Sequence, residues 1–377
     1  MAVPEKSVKQ KLRVRTGKHY PVNFCITLGQ ENAEFIKKPQ TPLARYFPWA
    51  DAFGFYPGGG HDITHTINAI PILSRKKFIV TFEDYLPRAP EDRGAFCLQK
   101  PLRKILLSNR CIKLLAMSQY GLGIFKKQNA QTGDLEKLLV KTELLYPAVP
   151  LRNETPKKIG DTLRLCFVGS DFMRKGCPVL TRAHASLRKN NIPVETHIVS
   201  SLRWSEKDYI GPPNKTLYEE ELKKLSQDGI ILHKGLANDE VIQLMQNSDF
   251  LIFPTFHDTF GFVSIEAMSC ATPVITNATC AQLEIVENGV SGHLLKFEND
   301  QWNRWKWLYK TKHPNYTDAY ISETNRLAAE LEQILTTIWD SKSSYESLSK
   351  GAIETIRQKF DIQKAKTRLE EIYETCR

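Results

Sequence analysis

Short apolar runs alternate with amphipathic stretches through the second half of the chain. The runs are LRLCFVG (163–169), VETHIVS (194–200), IILH (230–233), DFLIFPT (249–255) and PVIT (273–276). Between them, PVLTRAHASLRKN, LYEEELKKLSQ, NDEVIQLMQNS and GFVSIEAMSC place apolar residues at helical spacing. Strands separated by single helices cannot pair as hairpins. They imply a parallel sheet with helices on both faces. Asn238, just ahead of DEVIQLM, fits a helix N-cap.

The first half is less regular. VNFCITL (22–28), ITHTI (63–67), FIVTF (78–82) and IKLLAMS (112–118) read as strands, PLRKILLSN and GDLEKLLVKTELL as helices. The pattern predicts a second, smaller α/β domain over 1–150. YPAVPLRNETPKKIGD (146–161) is the expected linker. A domain over 151–345 follows, then helical sequence over 346–377. Residues 301–315 stand apart because Trp302, Trp305 and Trp307 interleave with Lys and Arg. Such mixtures suit a membrane interface or stacking on sugars and bases. They equally suit an insertion that packs its tryptophans on the domain.

Charge changes this picture more than composition does. Residues 1–152 hold 24 Lys+Arg against 12 Asp+Glu, whereas 153–377 hold 28 against 30. The basic half suits an anionic partner, a lipid surface, a phosphorylated acceptor or nucleic acid, or else is simply a solvated basic face. No apolar run reaches membrane-spanning length, and the first twenty residues lack the apolar core of a secretory signal. The eight cysteines form no C-x-x-C pair, as in a reduced cytosolic chain.

Two strand ends carry candidate chemistry, since parallel sheets bind ligands at their carboxyl edge. After LRLCFVG come Gly169, Ser170 and then Arg174-Lys175-Gly176, two adjacent cations suited to a diphosphate. After LIFPT comes HDTFGFVSIEAM, in which a turn at Gly261 opens a helix whose first N–H groups can receive phosphate oxygens. Asp258 precedes that helix and Glu266 lies within it. Glu266 can accept from paired hydroxyls such as those of a ribose, while Asp258 faces the group beyond the phosphates. Neither D-x-D nor a metal-ligand cluster occurs, so no metal is assigned and the diphosphate falls to the protein's own cations. P-loop, G-x-G-x-x-G and G-x-S-x-G patterns are absent as well.

In order, FVGSDFMRKG, HKGLANDEVIQLMQNSDFLIFPTFHDTFGFVSIEAMSCATPVIT and AQLEIVENGVSGHLL resemble the family-4 glycosyltransferases of GT-B fold. IRQKFDIQKAKTRLEEIYE resembles that family's closing helix, which crosses back to the first domain. The resemblance implies two Rossmann-like domains facing a cleft. A nucleotide sugar would bind the second and a hydroxyl acceptor the first, with retention of anomeric configuration and no metal or other cofactor. By position, Lys175 matches the lysine on the donor diphosphate, Glu266 the ribose acid and Asp258 the acid, usually Glu, on the transferred sugar. Thr259, Phe260, Gly261, Phe262 and Val263 match the loop and helix start beside sugar and phosphates. Departures are Ser170 for a usual Arg, with Arg174 as a substitute, and Ala271 for a usual Gly. In the first domain HDITHTINAIPIL and KKFIVTFEDYLPR resemble the family's D-x-x-H strand end and next strand. His65 and Glu83 are the acceptor-side candidates, His65 being equally open to a structural role and Glu83 standing where many members have His. Gly58-Gly59-Gly60 comes late for the family's first glycine loop.

The expected activity is thus transfer of a sugar from a nucleotide diphosphate to a hydroxyl acceptor, in cell-surface glycan or glycolipid synthesis. Attack from the leaving-group face, with the departing phosphate taking the acceptor's proton, is the mechanism the resemblance implies. Asp258, Lys175 and Arg174 are the catalytic candidates. The partners are the nucleotide sugar and an anionic or lipid-linked acceptor. The expected location is the cytoplasm, peripheral at the inner face of the membrane. The alternative is a catalytically degenerate GT-B scaffold; a nucleic-acid binder has no supporting motif.

Overall fold

The structure is a computed structural model that describes residues 10–38, 52–56, 59–88, 96–206 and 210–376. The chain divides into two units, the first made of 1–148 and 361–377, the second of 149–360.

In the first unit, β1 (Leu12–Thr16), β2 (Ala33–Lys37), β4 (Ile63–Ile67), β6 (Lys77–Phe82), β7 (Cys111–Ala116) and β8 (Thr142–Leu144) form one sheet. Its order is β2-β1-β4-β6-β7-β8, parallel throughout. β3 (Phe53–Phe55) and β5 (Ile70–Ile72) pair separately. Three expectations are corrected here. VNFCITL is no strand: Val22–Cys25 is a short helix entered through Pro21. The first strand is instead LRVRT, hidden from a hydrophobicity reading because Arg15 is buried and lies over the Tyr56 ring. GDLEKLLVKTELL is not one helix, since it breaks after Leu139 and re-enters the sheet as β8. Gly58 lies outside the described residues, and Gly60 has φ +86°.

Only the last helix, Ile362–Glu374, belongs with the first unit; Ser343–Lys359 belongs with the second. Asp361 caps the last helix by accepting from Lys364 N (2.9 Å). Its Ala365, Leu369, Ile372 and Tyr373 face Leu12, Val14, Ile63 and Ile79. Arg368 grips both carboxylate oxygens of Glu143 (2.6 and 2.9 Å).

His65 sits under this helix. It is fully buried, one ring nitrogen hydrogen-bonded to Tyr373 Oη and the other to Thr81 Oγ1, each at 2.8 Å. Its role is to tie β4 and β6 to the helix, and its ring has no face left for an acceptor. Burial lowers its pKa to about 3. The unfolded chain, with His near 6.5, then binds the extra proton first, so stability contributed by the neutral ring is lost as pH falls from about 6.5 toward 3. Denaturant titrations from pH 7.5 to 4.5 should show His65→Gln with a shallower loss, the difference in slope growing below pH 6.5 toward about 1.4 kcal/mol per pH unit. Parallel slopes for the two proteins would refute this assignment.

In the second unit, β9 (Leu163–Val168), β10 (Val194–Val199), β11 (Ile230–His233), β12 (Phe250–Phe253), β13 (Val274–Asn277) and β14 (Gly292–Leu295) form the sheet. All pairs are parallel, in the order β11-β10-β9-β12-β13-β14. This is the doubly wound arrangement, in which the connections reverse direction between β9 and β12. FLIF and VITN are buried at every position, as central parallel strands must be. The helix between β11 and β12 starts at Asn238, one residue earlier than the cap reading, and Glu240 accepts from Ala237 N (2.7 Å). The seven cysteines whose side chains are described are buried, and none of them forms a disulfide. No helix among the described residues is long and apolar enough to cross a membrane.

Candidate functional site

The two loops singled out in the sequence follow β9 and β12, the strands at the reversal point. Gly169 closes β9. A Cβ there would sit 3.0 Å from Lys175 Cβ and Cγ, so glycine makes room for the lysine stem. Asp171 organises the turn: it accepts from Arg174 N and from Arg174 Nε, both 3.1 Å, and its carbonyl accepts from Lys175 N (3.0 Å). Gly176 then adopts φ +79° directly against Pro254. Phe256 N donates to Arg174 O (2.9 Å) and Arg174 Nη1 to His257 O (3.1 Å). The two loops are therefore stitched together by one backbone bond and by the Arg174 guanidinium.

On this base Lys175 Nζ bonds the Asp258 carboxylate. The two side chains are 12% and 20% exposed, so the pair sits at the surface of the sheet edge without being freely solvated. The Phe253 ring lies 5.3 Å from the ammonium. Burial raises the Asp258 pKa, but Lys175 and, behind it, Arg174 outweigh this and hold the carboxyl below its ordinary range. Burial lowers the Lys175 ammonium below the usual lysine range despite Asp258. An ammonium has three donors, so bonding Asp258 leaves others for phosphate oxygens. Arg174 is placed differently: its guanidinium braces Asp171 and the His257 carbonyl, which makes it a support of the Asp258 loop.

Gly261, φ +87°, caps the helix Phe262–Ser269. A side chain there would collide with Gln282, whose Nε2 donates to Phe260 O (2.7 Å) while its Oε1 accepts from Ser264 Oγ (2.8 Å). Gln282 thus staples the helix start, a role its place in AQLEIVENG did not disclose. Phe260 is 1% exposed, so only its backbone can meet a ligand, whereas Thr259, Phe262 and Val263 are partly exposed. Glu266 lies in the helix's second turn and is buried. Ser170 is exposed.

The tryptophan-rich segment packs behind the same loop. Trp305 is 1% exposed and meets Phe256 edge-on at 4.8 Å, and Tyr309 lies 6.3 Å from His257. Tyr320 Oη donates to Met173 O (2.8 Å). Of the two readings of 301–315, packing on the domain describes Trp305. In the first unit, Glu83 follows β6, with its N–H on Asn68 Oδ1 (3.0 Å) and its carboxylate 3.9 Å from Arg88.

The helix ends in a Schellman turn: Thr272 N donates to Ala267 O (3.1 Å) and Ala271 N to Met268 O (3.0 Å). Ala271 pays for it with φ +57°, which explains why glycine is the ordinary residue there. Relief of about 1–2 kcal/mol of left-handed strain, less roughly 0.4–1 kcal/mol of added unfolded-state entropy, should leave Ala271→Gly more stable by about 0.5–1 kcal/mol, read as a higher Tm. An unchanged or lower Tm would show the strain is not there.

Residues 152–308, which hold this whole pair of loops, match the family model described as glycosyl transferases group 1. Over 97% of its length the chain superposes on all of Anabaena HepE, crystallised with UDP, at TM-score 0.62 and 15% identity. The chain has the GT-B glycosyltransferase fold. A glycosyltransferase from Rickettsia africae has the same fold at TM-score 0.60 and 14% identity, over 98% of this chain and 99% of that one. Among curated proteins, the D-inositol 3-phosphate glycosyltransferase of Thermobifida fusca is 26% identical over 172 residues. That match spans 41% of this chain and 38% of the relative's length. Within the GT-B fold, the site described here occupies the carboxyl edge of the second Rossmann-like unit.

Proposed function

We propose that this chain is a retaining glycosyltransferase that takes its sugar from a nucleoside diphosphate. The observation that carries the reading is the Lys175–Asp258 pair at the strand reversal, beside a glycine-opened helix start, inside the segment matched to group 1 glycosyl transferases. In this reading Lys175 and the amino end of the helix Phe262–Ser269 take the diphosphate, and Asp258 holds a sugar hydroxyl. Glu266 takes the ribose. Rate enhancement comes from positioning and from stabilising the departing diphosphate, which accepts the acceptor's proton. The protein's cations replace a divalent metal, so EDTA should leave turnover unchanged. Magnesium-dependent recovery after chelation would contradict this.

Uridine diphosphate sugars are the first donors to test, because HepE has been crystallised with UDP-glucose. The net charge of +12 over residues 1–152 favours an anionic or lipid-linked acceptor, met from the cytoplasmic face of a membrane in glycan synthesis. The relative named for inositol 3-phosphate is in keeping with a phosphorylated acceptor. The deciding experiment is a thermal-shift panel of UDP-, GDP- and ADP-sugars, then donor hydrolysis and NMR of the anomeric product. Retention is expected. Inversion would overturn the stereochemical assignment, and no stabilisation by any donor would overturn the function.

A further inference from the structure

Among the described residues, three cations lie along the carboxyl edge of β9, β10 and β12, and two of them come with their own acids. Lys175 is bonded to Asp258, and Arg174 to Asp171 and the His257 carbonyl. The third is Arg203, in the loop after β10. Its guanidinium is 67% exposed and reaches Asp171 Oδ2 only at 3.8 Å, sharing an oxygen that Arg174 Nε already occupies at 3.1 Å.

The backbone of Arg203 is nevertheless held in place. Its N–H donates to Ser170 O (2.8 Å), to which Ser201 Oγ also donates (3.2 Å), and Asp171 and Arg203 form a parallel bridge. The preceding residue, Leu202, is left-handed at φ +54°, and its carbonyl accepts from Tyr218 Oη (2.6 Å). Trp204, the next residue, stacks on Tyr218 at 5.2 Å. An ordinary solvent-facing arginine needs no such seat. Ser170, beside it, is exposed and brings no charge.

We propose that Arg203 is a diphosphate-binding residue, supplying from the loop after β10 the exposed bidentate cation that the committed Arg174 does not. The assignment rests on the nucleoside-diphosphate reading for its ligand, and its chemistry is that of a planar guanidinium on phosphate oxygens. Asp171 parks the guanidinium while no phosphate is bound, and a second phosphate group would compete for it.

The test is titration calorimetry of wild type, Arg203→Gln, Arg203→Lys and Lys296→Gln against inorganic pyrophosphate, UDP, UMP and uridine at two salt concentrations. Lys296 is an exposed cation after β14 and serves as the control. Loss of a charged hydrogen-bond pair predicts that Arg203→Gln weakens pyrophosphate and UDP by roughly ten- to a hundredfold. UMP should lose less, uridine nothing, and the salt dependence should flatten. Lysine should recover part of the loss, and Lys296→Gln should match wild type. Wild-type affinity for pyrophosphate in Arg203→Gln, an equal loss for uridine, or no pyrophosphate binding by wild type would each overturn the proposal. Pyrophosphate binding that needs Arg203, with no nucleotide sugar bound by any variant, would uphold Arg203 and overturn the donor reading.

Discussion

Lys175→Ala is expected to cut donor hydrolysis by roughly a hundred- to a thousandfold, the range found when one donor to a developing anion is removed. The effect has two sources. The variant loses a charged donor that would strengthen its bonds as the diphosphate departs. It also strands Asp258 without the cation that holds its carboxyl below the ordinary range. Asp258→Asn separates the two, because it keeps the lysine and removes only the acid. Its loss should therefore be smaller on pyrophosphate affinity than on turnover. The pH profile carries a further sign. Burial places the Lys175 pKa below the usual lysine range, so activity should decline on the alkaline side earlier than an exposed lysine would dictate. His257, buried and at about pKa 3, stays neutral and should add no limb near pH 6 to 7. Near-normal hydrolysis by Lys175→Ala would remove the pair from the mechanism.

Gly176→Ala is expected to cost stability and turnover together. Position 176 has φ +79°, where a Cβ costs about 1–2 kcal/mol. That Cβ would also stand 2.8 Å from the Pro254 carbonyl carbon and closer still to its oxygen. Relieving the overlap means parting the loops that carry Lys175 and Asp258, so a total of about 3 kcal/mol is reasonable. Gly123, inside the helix Gln119–Asn129 with open space around its missing Cβ, makes the contrast. Gly123→Ala should raise stability by up to about 1 kcal/mol through helix propensity. Thermal unfolding of both variants, with hydrolysis measured on each, checks the pair. Equal effects at the two glycines would mean that the contact at Pro254 does not govern the site.

The second unit was legible because its strands are short, mostly apolar runs, fully buried at FLIF and VITN, separated by longer stretches with apolar residues at helical spacing. Both site loops were legible for the same reason: each lies where an apolar strand ends. The first unit hid its opening strand because LRVRT spends Arg15 inside the fold, stacked on Tyr56. VNFCITL looked like a strand by composition, and Pro21 turned it into a helix start. Side-chain roles were less legible than positions. Arg174 sits where a phosphate cation was expected, yet Asp171 and the His257 carbonyl engage it. His65 lies in a motif suggestive of acceptor chemistry, yet Tyr373, 308 positions away in sequence, claims its ring. Neither partner is visible from local spacing. Gln282 and Arg203 carried no signal, since each acts through a loop placed by another strand.

The seat of Tyr373 on His65 bears on biosynthesis. The second unit is one unbroken stretch and holds everything needed for its own core once it has left the ribosome. The first unit, translated earlier, waits for residues 361–377 before Leu12, Val14 and His65 are covered. Assembly therefore runs against the order of synthesis, and the N-terminal sheet spends the interval with its apolar flank open to chaperones.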